Sequence, residues 1–435
     1  NIRANVTMHS DTITHLRSYS GKIISPELNL GMLLNQEKTL GNATFDIELQ
    51  GFKYNNGEAE SYIKGNISSL TYKQYEYRNI MLDGKYTPGG FNGKLSLDDS
   101  NGNIEINGHF ATRQAVPDFN LRAVVRNFRP NDLHLTEKYK DTDMSLNLTA
   151  DFSGHSIDDM QGKISIDSVS VNAPEEAQCY YLDNLSITAG NTGKNKEKQI
   201  EIHSPFLNGS VKGDYSYRTL PASILKTLQR YIPSLLALNK ELPETNNNFQ
   251  FHFQLDNTDL FSKVLNIPIE LGMPATLNGY FDDRRTRLQI QGYLPEFVYN
   301  DSYFESGTFL CSNTADELEC QVRINKRMKK GGMINFSVNS RVAADKLKTT
   351  IHWGNNVPST FSGVVETMTS FRKSEEKNRL STTIDIRPSK IILNDTIWKV
   401  HPSKITIDKD LIEIDDFLFE HQDQYVRANG RIGKE

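Results

Sequence analysis

Four adjacent carboxylate pairs, Asp98/Asp99, Asp158/Asp159, Asp282/Asp283 and Asp415/Asp416, are the residues best suited by type to acid–base chemistry. Glycoside hydrolysis needs two carboxyl groups facing each other across a cleft. Neighbours in a strand point to opposite faces, and three of these pairs adjoin turn signals, so they read as turn and edge residues. His9 and His15 in "HSDTITH" share a strand face without being adjacent, which describes a surface pair better than a metal site. Cys179, Cys311 and Cys320 are too few for a disulfide scaffold and lack zinc-site spacing. In "TFLCSNTADELECQV", a turn at "NTAD" would set Cys311 opposite Cys320; a cross-strand disulfide and two small apolar thiols both fit. The phosphate-cradling GxxxxGK[ST], the dinucleotide GxGxxG, the GxSxG elbow and HExxH are all missing from the sequence. The expectation is a protein without catalytic residues, cofactor or metal.

The bulk numbers narrow the partners. Lys and Arg number 49 against 54 Asp and Glu, a net charge of -5, so no field favours nucleic acid. The basic clusters "RINKRMKKGG" (323–332) and "DDRRTR" (282–287) could touch anionic head groups, but solvated hairpin tips account for them as well. No run of about 18 apolar residues exists to span a bilayer as a helix. The chain opens on Asn1 without a leader and stops in mid-pattern at "VRANGRIGKE", which reads as a segment of a longer protein. At 435 residues it is too long for one ordinary domain, leaving several domains, one large β domain or a repetitive elongated body.

What must position any site is β structure. In "NIMLDGKYTPGGFNGKLSLDDSNGNIEINGHF", strand parity puts Ile80, Leu82, Gly84 and Tyr86 on one face, then Phe91, Gly93, Leu95 and Leu97, then Ile104, Ile106, Gly108 and Phe110. The glycine falls on the apolar face each time. The same apolar-x-Gly-x-apolar unit recurs around Gly21, Gly65, Gly162, Gly209, Gly213, Gly279, Gly292, Gly363 and Gly430, making twelve of the 28 glycines. Inward glycine removes bulk where a sheet bends or another body comes close, so the sheet is expected to curl around its apolar side. Turn signals such as "TPGG", "DDSNG" and "NTGKNKEK" suit antiparallel hairpins.

One helical pattern stands out at 219–238, with Ile224, Leu225, Leu228, Ile232, Leu235 and Leu236 in a stripe and a kink expected at Pro233. It is expected to pack as a lid on the open sheet, since Lys226 and Arg230 supply too little charge for a membrane-surface helix. The organisation is therefore curled β repeats over 1–128 and 129–218, helix and linker over 219–240, and curled β repeats over 241–435. The fold class is all-β: an elongated, curled antiparallel sheet forming a gutter with its apolar face inside.

The phrases "YRNIMLDGKYTPGGFNGKLSLDDSNGNIEINGHF", "MQGKISIDSVSV…YYLDNLSITAG", "FLNGSVKGDYSYRTLPASILKTLQRYIPSL" and "RPSKIILNDTIWKVHPSKITIDKDLIEIDDFLFEHQDQYVRANGRIGK" resemble, in order and number, the central repeat region of the TamB family of translocation and assembly modules, in its Bacteroidetes form within the AsmA-like superfamily. The resemblance covers essentially the whole chain. It implies a periplasmic β-gutter whose parent is anchored in the inner membrane, carries phospholipid acyl chains towards the outer membrane and meets an outer-membrane assembly partner through regions outside this segment. It supplies no catalytic residues.

Covering an acyl chain of about sixteen carbons in water is worth on the order of 12 kcal/mol, at roughly 0.8 kcal/mol per CH₂, so such a conduit needs continuous apolar cover. The candidate groove residues are Leu82, Tyr86, Phe91, Leu95, Leu97, Ile104, Ile106, Phe110, Ile164, Ile166, Leu207, Val211, Phe281, Leu294 and Val365. The glycines Gly84, Gly93, Gly108, Gly162, Gly209, Gly279, Gly292 and Gly363 serve curvature, lipid clearance or both. The rival arrangement is a row of closed β-sandwich modules acting as an interaction scaffold for outer-membrane protein assembly or secretion.

Overall fold

The structure is a computed structural model that describes every residue except 1, 12–15, 55–57, 112–115, 174–177, 193–196, 237–241, 259–261, 263–267, 330, 356–359, 375–378, 409–410 and 434–435. The chain divides into two units: Asn1–Asn191 with Ile200–Pro205, and Thr192–Gln199 with Phe206–Glu435. Both are antiparallel β structure, as the alternating, turn-rich sequence predicts.

The first unit holds β1 (Arg3–Ser10), β2 (Arg17–Asn29), α1 (Leu30–Leu34), β3 (Leu40–Lys53), β4 (Ala59–Tyr72), β5 (Tyr75–Thr87), β6 (Gly90–Asp99), β7 (Gly102–Ala111), β8 (Asp118–Phe128), β9 (Asp143–Ser153), β10 (Gln161–Ala173) and β11 (Gln178–Thr192). After β12 (Glu197–His203), the second holds β13 (Leu207–Asp214), α2 (Leu220–Gln229), β14 (Asn248–Leu255), β15 (Ile269–Leu271), β16 (Ala275–Asp282), β17 (Arg287–Tyr299), β18 (Ser302–Asn313), β19 (Leu318–Arg327), β20 (Met333–Ala343), β21 (Lys346–Asn355) and β22 (Ser362–Ser374). It continues through β23 (Arg379–Ile386), β24 (Ser389–Leu393), β25 (Thr396–Val400), β26 (Ser403–Asp408), β27 (Leu411–His421) and β28 (Gln424–Gly433).

Register sorts each unit into two chemically distinct faces. Side chains directly opposite one another across an antiparallel pair share a face, so pairing can be followed from strand to strand. In the first unit one such row runs Ala4, Ile23, Ile47, Gly65, Leu82, Leu95, Ile106, Ala123, Leu148, Ile166, Leu185. The next row on that face runs Val6, Gly21, Leu49, Ile63, Gly84, Gly93, Gly108, Leu121, Ala150, Ile164, Ile187. No polar side chain interrupts either row. One residue out of step, Lys22, Glu48, Lys64, Asp83 and Lys94 make the corresponding row of the other face. That face carries ion pairs such as Lys22–Asp46 at 2.7 Å and Lys94–Glu105 at 2.8 Å. The second unit repeats the division with Gly209, Phe253, Leu277, Gly292, Phe309, Val322, Val338, Ile351 and Val365 in one row. Ser210, His252, Asn278, Gln291, Leu310, Gln321, Asn339 and Thr350 lie on its reverse side.

The apolar faces are left partly open to solvent. The chain exposes 27343 Å², whereas two separate compact bodies of half its 49.4 kDa would expose about 20,000 Å². In the first unit Leu95 is 39% exposed, Phe110 42% and Tyr86 46%, although all three belong to the apolar face. A dry sandwich core would bury them.

The helical stripe expected at 219–238 is realised only in part, because α2 ends at Gln229. Pro233 has no N–H, and its ring would strike the carbonyl of residue 229 in a continued helix. The chain goes on as turns, with Tyr231 N–H and Ile232 N–H both donating to the Leu228 carbonyl. Residues 237 and 238 of the expected stripe lie outside the described residues.

Candidate functional site

Ten of the fifteen candidate groove residues meet on the apolar face of the first unit. Tyr86, Phe91 and Phe110 face one another in succession, as do Leu82, Leu95 and Ile106, while Leu97 opposes Ile104. Ile164 and Ile166 extend the two long rows three strands further on. The Phe91 and Phe110 rings stack with centroids 6.0 Å apart, and Phe119 and Phe152 continue the aromatic row at 5.0 Å. Register also brings Gly84, Gly93 and Gly108 side by side on three adjacent strands.

The glycines have reasons that differ from place to place. A methyl group at Gly84 would lie 2.5 Å from Phe91 Cζ, and one at Gly93 2.7 Å from the same atom, so one ring covers both. Phe253 covers Gly209, Phe251 covers Gly279 and Trp353 covers Gly363, each from the position directly opposite. The flat ring buries glycine backbone that would otherwise be bare, which restores strand packing without a side chain. At Gly108 a methyl group would come 2.2 Å from the Asn120 carbonyl oxygen and 2.7 Å from Leu121 Cα, so the neighbouring strand closes in on the apolar side. Gly162 has φ +143°, a backbone setting that side chains disfavour. Gly292 alone among the eight has only ordinary contacts, the nearest at 3.5 Å from Leu277 Cδ1.

That space opens into an apolar pocket of about 660 Å³ in the second unit, lined by Leu207, Leu255, Leu271, Leu277, Leu294 and Phe309 among others. Its size is that of a small-molecule site. The candidates Leu207 and Leu294 are in its wall. Val211 lies opposite Phe251 on the same face, and Val365 lies further along the sheet opposite Ile351. Phe281 is 3% exposed and packs against Phe249 at 5.8 Å, so it is a core residue. The alternation "NFQFHFQL" announces Phe253 and Leu255 in the sequence. The wall from β15 carries no comparable signal: three residues, Ile269–Leu271, are held by Thr258, whose hydroxyl donates to the Ile269 carbonyl at 2.7 Å and accepts from Leu271 N–H at 3.2 Å.

At the hairpin end of the same face, α2 and the turns after it form a strap. Tyr231, 1% exposed, packs with Cys311 and Leu318, flanked by Leu228, Leu288, Phe309 and Val342. Its hydroxyl donates to the Thr314 carbonyl at 2.9 Å. Asp283 accepts from Ser223 Oγ at 2.7 Å and from Asn247 N–H at 3.0 Å, fixing the start of the strap. Asp345 fixes its end, accepting from both the N–H and the hydroxyl of Ser234 at 2.8 Å. Below Tyr231 the cysteine question is resolved: Cys311 and Cys320 face each other with Cα atoms 4.1 Å apart and are disulfide-bonded, while Cys179 is free and exposed.

Three of the four carboxylate pairs occupy turns and strand ends, as their context predicts, whereas Asp415 and Asp416 form a bulge within β27. Burial pushes the Asp99 carboxyl up, but hydrogen bonds from Tyr75, Asn101 N–H, Arg78 N–H and Ser100 outweigh it and hold it below the usual range. Asp159 is held well below that range by His155 N–H and then Ser156, inside its own turn. Asp416 pairs with Arg427 at 2.7 Å in the bulge of β27. No group of three metal-ligating side chains forms among the described residues, and His15 lies outside them. Comparison with protein-family models, with curated proteins and with solved structures finds no match to this chain.

Proposed function

We propose that this chain is part of a periplasmic, AsmA-like lipid-transfer protein of the TamB type, and that the apolar face of each unit shields phospholipid acyl chains on their way between membranes. The observation that carries this reading is an uninterrupted apolar surface eleven strands wide in the first unit that stays partly open to solvent. Uncovered apolar surface on this scale marks a binding site. An acyl chain is a suitable occupant because it asks only for apolar area and no directional partner. The protein acts by cover alone, without covalent chemistry.

The test is native mass spectrometry with lipid extraction on protein made in a bacterial periplasm and purified without lipid-like detergent. Copurified phospholipid is expected, and it should be lost from the Leu95→Asp, Ile106→Asp double variant while the β-sheet circular dichroism is retained. Folded protein that emerges lipid-free under these conditions would replace this reading with that of an interaction scaffold.

A further inference from the structure

Between β13 and β21, among the described residues, the apolar face of the second unit carries one cation, on the same side of the sheet as its pocket. On β19, alternation places Leu318, Cys320, Val322, Ile324 and Lys326 on that face. Lys326 is, by the same alternation, the only charged residue on it between β13 and β21 among the described residues. Its row reads Leu271, Phe297, Phe304, Lys326, Ile334, so it begins at a residue of the pocket wall. Phe297 and Phe304 stack at 5.1 Å between them, and the Lys326 ammonium stands 5.7 Å from the Phe304 centroid. Three strand spacings, about 14 Å, separate Lys326 from Leu271.

The adjacent cation is committed elsewhere. Arg327, on the opposite face, pairs with Glu305 at 3.4 Å and lies over the Tyr303 ring at 4.1 Å. Lys326 forms no ion pair with a described residue. Lys326 is half-buried on an apolar face; the ring beneath its ammonium offsets part of the lost hydration, and a charge-assisted hydrogen bond to an anion would offset the rest. The strap closes the face at its other end, with Leu228 and Tyr231 against Leu288 and Phe309. The polar end of a bound lipid therefore has to lie on the Lys326 side.

We propose that Lys326 binds the phosphate of an anionic phospholipid whose acyl chain lies in the Leu207–Phe309 pocket, with the chain end pointing towards the strap. This rests on the acyl-chain reading above and adds the head-group class and the orientation.

Calorimetric titration with lysophosphatidylglycerol, monoacylglycerol and laurate, all with twelve-carbon chains and below their micelle concentrations, tests it on the wild type, Lys326→Gln and Lys326→Arg. The wild type is expected to bind lysophosphatidylglycerol roughly tenfold or more tighter than monoacylglycerol. Lys326→Gln should erase that preference and leave monoacylglycerol binding unchanged, and Lys326→Arg should restore it. A preference that survives in Lys326→Gln, or equal binding of the two glycerides by the wild type, overturns the assignment of Lys326 while leaving the acyl-chain reading standing. Laurate that matches lysophosphatidylglycerol overturns the choice of phosphate. Wild type that binds none of the three overturns the acyl-chain reading itself.

Discussion

Glycine on the apolar side of a strand has at least three jobs in this protein, and substitution should separate them. Gly93→Val would drive side-chain atoms into Gly84 Cα, 2.5 Å from the ideal Cβ, and displace the Phe91 ring, so urea unfolding should show a loss of about 1–3 kcal/mol. Gly292→Ala meets nothing closer than 3.5 Å and should leave the midpoint within about 1 kcal/mol of wild type. Parity reveals that these glycines face the apolar side, and that much is legible in the sequence. Which ring lies over which glycine is not legible, because it depends on pairing partners such as Trp353 and Gly363 that only register brings together. Burial raises the Asp283 carboxyl, but hydrogen bonds led by Ser223 and Asn247 N–H outweigh it, so its folded value lies below that of the unfolded chain. The stability it contributes is then complete above the ordinary carboxylate value near pH 4 and is lost as pH falls from there through the lower folded value. Urea midpoints at pH 7 and pH 3.5 should differ less in Asp283→Asn than in the wild type.

Among the elements, the strap depends most on contacts distant in sequence. Its apolar stripe and its Thr219–Pro221 start are readable, and Pro233 explains why the helix stops at Gln229. Its anchors are not readable, since Asp283 and Asp345 come from hairpin ends far along the chain. Tyr231 fills the interior of the buried cluster beneath the strap, so Tyr231→Ala should cost about 3–5 kcal/mol of local stability. Hydrogen exchange at residues 220–229 should then rise to the rate of exposed amides, while β14 and β16 stay protected. Exchange that rises equally in those strands would mean that the strap and the sheet form one cooperative unit. The pocket wall from β15 is not legible for a related reason: three residues are too short for a periodic signal, and a hydrogen bond from Thr258 sets their place.

For the molecule as a whole, the governing fact is that each unit divides into an apolar and a charged or polar face while its apolar face stays partly open to solvent. Alternation and turn signals carry that two-faced character and the all-β class in the sequence itself. Whether a partner layer covers the apolar face is a three-dimensional property, visible only in the exposure of residues such as Leu95 and Phe110. The acyl-chain reading stands or falls on whether such a face accepts a hydrocarbon chain. The direct measurement is the fluorescence of cis-parinaric acid titrated into the wild type and into Gly292→Leu, whose added side chain fills the pocket without displacing backbone. Saturable enhancement is expected with the wild type, with affinity for the second-unit site reduced about tenfold or more in Gly292→Leu at unchanged circular dichroism. Enhancement of equal strength and affinity in both proteins, or none in either, would contradict the acyl-chain reading.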